Sequence, residues 1–175
     1  LPEDANGYRL RTQASEAAQV MMLSLGGDIH QMEVGDVIPS LQTGLIQGGE
    51  TNVVIYSFTG LSSEADHLVL THHSYDSGVL VANKEWYDSL TPADQELVRN
   101  AFPASKKSRA SVRRMSDGLL ANLRNSNEIN VYDLDDNQKV AWKEATKDNY
   151  KQIIAKIGGS SREIYDAMIR GREEY

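Results

Sequence analysis

The chain has 175 residues and a formal net charge of −7, with a pI near 5.1; this is long enough to bury a core in one domain or two small lobes. The acidic balance argues against a nucleic-acid protein, and the one basic cluster, Lys106, Lys107, Arg109, Arg113 and Arg114, has helical spacing and reads as a solvated face. The absence of cysteine excludes disulfide frameworks, thiolate metal sites and cysteine nucleophiles, and fits periplasm and cytosol alike. No apolar run is long enough to span a bilayer, and Leu1 opens no signal-peptide pattern. A start without methionine, in Leu1-Pro-Glu-Asp4, is what a processed or truncated product would show.

In chain order, Tyr8 to Thr12 alternates and predicts a short strand after the turn at Asn6-Gly7, with Arg11 near its C-terminal end. Ala14, Ala18, Met21, Met22 and Leu25 then form one helical stripe, ended by Gly26-Gly27. A brief strand from Asp28 to Met32 leads to a second helix from about Asp36 to Gly44, with Pro39 in its first turn. Strand, helix, strand, helix is the rhythm of an α/β lobe.

Ser40 to Asn52 reads as the end of that helix, a glycine turn at Gly48-Gly49, and a polar edge of Glu50, Thr51 and Asn52. Glycine there allows another segment or a ligand to come close. Val53 to Phe58 is apolar and fits either a strand or a buried helix. His67 to His73 and Ser77 to Ala82 predict strands, the second a near-continuous apolar run suited to a central parallel strand. Open α/β sheets form crevices beyond the carboxyl ends of their strands, which makes Arg11 and Glu50 to Asn52 wall neighbours.

From Asn83 onward the pattern is helical. Thr91-Pro-Ala-Asp94 supplies an N-cap, a proline at the first helical position and an acid in the first turn. Val112, Met115, Leu119 and Leu123 continue the period, so Thr91 to Asn125 predicts one long element, roughly 50 Å if straight, which Pro103 should bend or interrupt. Asn130 to Leu134 fits a short edge strand. A helix carrying Tyr150, Ile153, Ile154 and Ile157 stops at Gly158-Gly159, and Ser160 with Glu163 makes a capping box for a last helix whose Ile164, Tyr165, Met168 and Ile169 face inward.

Six blocks in this order carry a resemblance: Gly7-Tyr-Arg-Leu-Arg11, Leu25-Gly-Gly27, Asp36-Val-Ile-Pro-Ser-Leu-Gln-Thr-Gly44, Gly48-Gly-Glu-Thr51, Leu70-Thr-His-His-Ser-Tyr75 and Asn83-Lys-Glu-Trp-Tyr-Asp-Ser-Leu-Thr-Pro92. The chain resembles the DctP-type solute-binding proteins of TRAP transporters, over the later half of that family's length. The resemblance implies an α/β, two-lobe periplasmic binding protein-like fold, here partial, with a long hinge-crossing helix and a helical C-terminal part. Residues 1–76 would form the ligand-binding lobe and 77–128 a strand and long helix of the other lobe and hinge. Residues 129–175 would pack back on the first of these.

The implied function is a periplasmic receptor that binds a small organic acid and delivers it to a membrane permease without converting it. Arg11 matches the family's carboxylate clamp, and a guanidinium offers the planar donor fork that a carboxylate needs. Thr51 stands where many members have asparagine, with Asn52 one place later. Glu50 is expected to orient Arg11 or the turn, and would be the candidate ligand if a metal bridged the carboxylate; no cofactor is otherwise implied. Val34 takes a position where an aromatic often packs on the ligand, and His73 and Tyr75 match positions near the cleft. Adjacent strand residues point to opposite faces, so His72 and His73 would not share one metal.

Two other readings stand beside this one. An enzyme would draw on His67, His72 or His73 with Asp66, Asp76 or Ser74, but no nucleophile elbow, phosphate loop or His-Glu-x-x-His motif accompanies them. A truncated or degenerate receptor would serve as an interaction module without a ligand; in the receptor reading, this chain without the missing part would expose apolar surface and either associate or need that part.

Overall fold

The computed structural model describes residues 1–76, 78–102 and 105–173. Strand β1 (Arg9–Thr12) is followed by helix α1 (Glu16–Ser24), β2 (Asp28–Gln31), α2 (Val34–Gln42), the two-residue β3 (Gly48–Gly49) and α3 (Val53–Phe58). The strands form a parallel sheet of order β2-β1-β3, with Arg11 opposite His30 on one side and Gly49 on the other. The connection from β1 passes to β2 through α1, and that from β2 crosses back over β1 through α2. The chain order thus switches sides at β1, and in open parallel sheets such a switch leaves a crevice at the carboxyl end of the central strand.

Local chemistry explains these elements. Ser15 caps α1 by accepting from Ala18 N–H, and the helix ends in a left-handed Gly26 (φ 76°). Asn52 caps α3, its Oδ1 accepting from Ile55 N–H at 2.9 Å. That cap resolves the ambiguous 53–58 stretch as a helix, with only Tyr56 fully buried. The core joins Val37, Ile46, Tyr56 and Leu61, with Leu68, Leu123 and Ile129 packed on it. Tyr56 donates its hydroxyl to the Ala65 carbonyl at 2.5 Å.

Strand β4 (His67–Leu70) pairs in parallel with β5 (Asn130–Asp133), forming a second, two-stranded sheet. Between them come α4 (Lys84–Ser89), α5 (Pro92–Asn100) and α6 (Ser105–Asn125). After β5 follow α7 (Asp136–Thr146), α8 (Asn149–Ile157) and α9 (Ser161–Glu173). Helix α8 packs on α1, fastened by Asn149 Nδ2 donating to Ser24 Oγ and Lys156 Nζ to Glu16, both at 2.9 Å. The rings of Tyr150 and Tyr165 stack at 4.6 Å between α8 and α9.

Several sequence expectations need correction. The 67–73 strand ends at Leu70; Thr71 N–H turns back to Val69 O, and His72 sits at φ 49°, which breaks the extended backbone. The 77–82 strand does not form over 78–82, where Val79, Leu80 and Val81 are exposed; without a neighbouring strand an apolar run has no ladder to join. Ser77 and the proposed bend at Pro103 lie outside the described residues. Thr91 to Asn125 is divided into two helices, one ending at Asn100 and the next beginning at Ser105, so the expected interruption is present and the single straight element is not. Helix α2 begins at Val34, which leaves Pro39 inside it and not in its first turn. Ala14 lies before the cap of α1 and is exposed, whereas the stripe buries Val20. On α9, Ile164 and Met168 face outward. Helix α7 was not anticipated, although Asp135 and Gln138 form its capping box.

Candidate functional site

Arg11 is the third residue of β1, at the side-switching point of the sheet, and is only 7% exposed. Its guanidinium is held by carbonyls that leave the ends of both neighbouring strands. Nε donates to Met32 O at 3.1 Å, just after β2, and Nη1 to Glu50 O at 3.3 Å, just after β3. Among the described residues Nη2 has no hydrogen-bond partner. A planar fork gripped on one side and open on the other is pre-organised to take a carboxylate.

The close fit of β3 depends on Gly49, since a Cβ there would lie 2.9 Å from Arg11 Cβ and 3.0 Å from Arg11 O. Next in the chain, the Glu50 side chain is 8% exposed, with Oε1 at 3.9 Å from Arg11 Nη1. That is an ion-pair distance but too long for a hydrogen bond, and Glu50 Oε1 is buried without a hydrogen-bond partner. Glu50 is also the residue that would be the candidate ligand if a metal bridged the carboxylate of a bound acid. The guanidinium already supplies the adjacent positive charge, and among the described residues no group of three or more His, Asp or Glu is arranged to hold a metal ion.

Two adjoining cavities meet at this point. One, of about 720 Å³, is lined by Arg11, Val34, Gly49, Glu50 and Thr51. The other, of about 1020 Å³, is lined by Tyr75 and Asp76 from the segment after β4, by Met21 of α1, and by Lys139, Trp142 and Lys143 of α7. Met21, Glu50, Thr71, His73, Asp133, Leu134 and Trp142 border both.

The expected site residues divide between these cavities. Arg11 and Glu50 form the buried centre; Thr51 is half-buried beside them, and Val34, 39% exposed, starts α2 on the rim. Asn52 uses both ends of its amide structurally, capping α3 through Oδ1 and donating through Nδ2 to the Asp76 carboxylate. Tyr75 is 87% exposed, on the wall of the larger cavity. His73 Nδ1 lies 2.5 Å from Thr71 Oγ1. Desolvation holds its pKa below the ordinary histidine value, outweighing the opposing pull of Glu50 and Asp76.

Lys139, Trp142 and Lys143 were missed by sequence reasoning. Their signal was the Asp135-Asp-Asn-Gln138 helix start, which places the three on neighbouring turns of α7. Of the residues considered for enzymatic chemistry, His72, His73, Ser74 and Asp76 line the larger cavity, and Asp66 and His67 border the smaller one. His67 pairs through Nδ1 with Tyr132 OH at 2.9 Å and lies 3.8 Å from Asp66, on the second sheet, whereas His73 contacts Thr71.

Solved periplasmic solute-binding proteins of TRAP transporters share this fold over about half of their own length. The chain belongs to the family described as bacterial extracellular solute-binding protein, family 7 (DctP), whose model matches residues 1–157.

Among its relatives is the ectoine-binding periplasmic protein TeaA of Halomonas elongata, 27% identical over 167 residues, covering 94% of this chain and 49% of the relative. The solved structure of the ectoine-binding protein of the Halomonas elongata TeaABC transporter matches with a TM-score of 0.84, covering 94% of this chain and 55% of that one. A TRAP solute-binding protein from Xanthobacter autotrophicus with bound β-D-galacturonate is 31% identical, with a TM-score of 0.73 over 87% of this chain and 50% of that one. One from Ralstonia eutropha with bound (S)-2-acetolactate is 25% identical, with a TM-score of 0.79 over 90% of this chain and 52% of that one. The chain therefore spans about half the length of the relatives it matches.

Proposed function

We propose that the intact protein is a periplasmic receptor that binds a small organic acid and passes it unchanged to the membrane permease of a TRAP transporter. The observation that carries this reading is Arg11: buried, fixed by two main-chain carbonyls, with Nη2 unpartnered among the described residues beside an open cleft. Glu50 already stands at ion-pair distance from Nη1, so it is the open Nη2 donor that is expected to meet an acceptor oxygen of a bound acid. Ectoine, β-D-galacturonate and (S)-2-acetolactate, bound by the three relatives, define the first ligands to try.

In this reading residues 1–76 form the lobe that carries the clamp, 77–128 help to build the other lobe and the hinge, and 129–175 pack back on the first. The exposed Val79, Leu80, Val81, Leu97 and Phe102 support the middle assignment, because such a run would be covered by the other lobe in the intact receptor. Calorimetric titration of the intact receptor with a carboxylate panel tests the proposal. Saturable binding without turnover is expected; consumption of any bound acid would overturn it.

A further inference from the structure

We propose that the intact protein forms a reversible two-fold dimer in which helix α9 of one copy lies antiparallel on α9 of the other. The surface is separate from the acid-binding cleft and from the exposed run at Val79 to Val81, so the inference stands whether or not an acid binds.

Helix α9 has two unlike faces, and only one is used within the chain. On the inner face Tyr165 stacks on Tyr150 of α8, Ser161 Oγ donates to Ile154 O at 3.2 Å, and Ile169 is half-buried. The outer face repeats at i, i+3, i+4 and i+7 as Ile164, Ala167, Met168 and Gly171, which is the spacing of a helical packing seam. Ile164 is 60% and Met168 68% exposed, Ala167 is exposed, and a Cβ on Gly171 would meet nothing within 4 Å. The helix lies beyond residue 157, where the family match ends, so the seam lies outside the pattern that this match covers.

The charges beside the seam define its occupant. Glu163 in the first turn and Arg170 in the last border it, about 10 Å apart along the axis. Both are exposed, and neither has an ion-pair partner among the described residues, whereas Arg162 and Asp166 are already paired with each other at 3.0 Å. A second α9 laid antiparallel about a two-fold axis near Ala167 sets Glu163 of each copy against Arg170 of the other, and Ile164 of each against Met168 of the other. The small Ala167 falls at the crossing point, where side-chain size decides how near the two axes come. Opposed helix dipoles add to the match, since each acidic first turn then lies beside a basic last turn. A parallel pair would instead set Glu163 against Glu163 and Arg170 against Arg170. One helix per copy makes a small interface, of the kind that dissociates readily.

Sedimentation velocity of the intact protein over a concentration series tests this. The wild type should pass from monomer to dimer as concentration rises. Met168→Glu, at an exposed position, should weaken association at least tenfold while leaving the circular dichroism and melting temperature unchanged. Exchange of the charges is the more specific test. Glu163→Arg alone and Arg170→Glu alone should each stay monomeric, because like charges then meet across the axis. An equimolar mixture of the two should dimerise, because unlike copies restore both Arg–Glu contacts. A wild type that remains monomeric throughout would overturn the inference, as would single variants that associate like the wild type or a mixture that stays monomeric. A lowered melting temperature in Met168→Glu with association unchanged would also overturn it, since that marks a seam covered within one copy.

Discussion

Replacing Gly49 by alanine should damage the site without touching any charged group. The added Cβ would meet Arg11 Cβ at 2.9 Å, Arg11 O at 3.0 Å and Arg11 Cα at 3.4 Å. Two of those atoms are backbone of the paired strand, so a rotamer change cannot relieve the clash. Strand β3 must move away from β1, which strains the Leu10–Gly48 and Arg11–Gly49 pairing and stretches the 3.3 Å bond from Arg11 Nη1 to Glu50 O. Overpacking of this kind costs about 1–3 kcal/mol. A domain of this size loses roughly 2–4 °C of melting temperature per kcal/mol, so a drop of several degrees is expected. Loosening the guanidinium should also weaken acid binding about tenfold, the equivalent of roughly 1.4 kcal/mol. Thermal melts and calorimetric titrations of intact wild type and Gly49→Ala measure both effects. A melting temperature within one degree, by a rough threshold, with unaltered affinity would refute the claim that β3 must lie against Arg11.

Three further outcomes are expected. Asn52→Ala should lose about 0.5–2 kcal/mol through the uncapped α3, whereas Asn52→Asp keeps the cap but sets a carboxylate against Asp76; equal stability of all three proteins in denaturant titrations would count against the cap. For His73, the pKa is lowered on folding, so its contribution is present above the ordinary value of 6.5 and is lost as pH falls through the folded value. Stability should therefore decline on the acid side more steeply in wild type than in His73→Gln, and an NMR titration midpoint above 6.5 would contradict the assignment. The 175-residue chain expressed alone should self-associate through the apolar surface at Val79 to Val81, Leu97 and Phe102. A monodisperse, cooperatively unfolding monomer in analytical ultracentrifugation would disprove that.

What the sequence made legible follows from the range of the interactions concerned. Strand β1, the cap at Ser15 and the glycine stop after α1 are local signals, and they placed Arg11 at a strand end correctly. The six-block resemblance added the partial α/β receptor fold, which family membership confirms. The apolar run at 78–82 misled because its composition suits a buried strand, while strand formation depends on a neighbour that local sequence does not reveal. The outward turn of Ile164 and Met168 has the same cause: periodicity defines a face but not what covers it. The grip of Met32 O and Glu50 O on Arg11 joins residues 21 and 39 positions apart, and backbone acceptors leave no trace in residue type. Asn52 shows the converse, since its residue type suggested a ligand contact while its amide is used at both ends.

The central claim is that Arg11 anchors a carboxylate, and it is tested most directly by calorimetric titration of the intact receptor and its Arg11→Ala and Arg11→Lys variants with an acid that the wild type binds. Each charge-assisted hydrogen bond contributes about 1.5–3 kcal/mol, so losing the fork should weaken binding roughly a hundredfold or more. Lysine should restore little of it, because a point charge does not reproduce the planar pair of donors. Affinity in Arg11→Ala equal to that of the wild type would contradict the account.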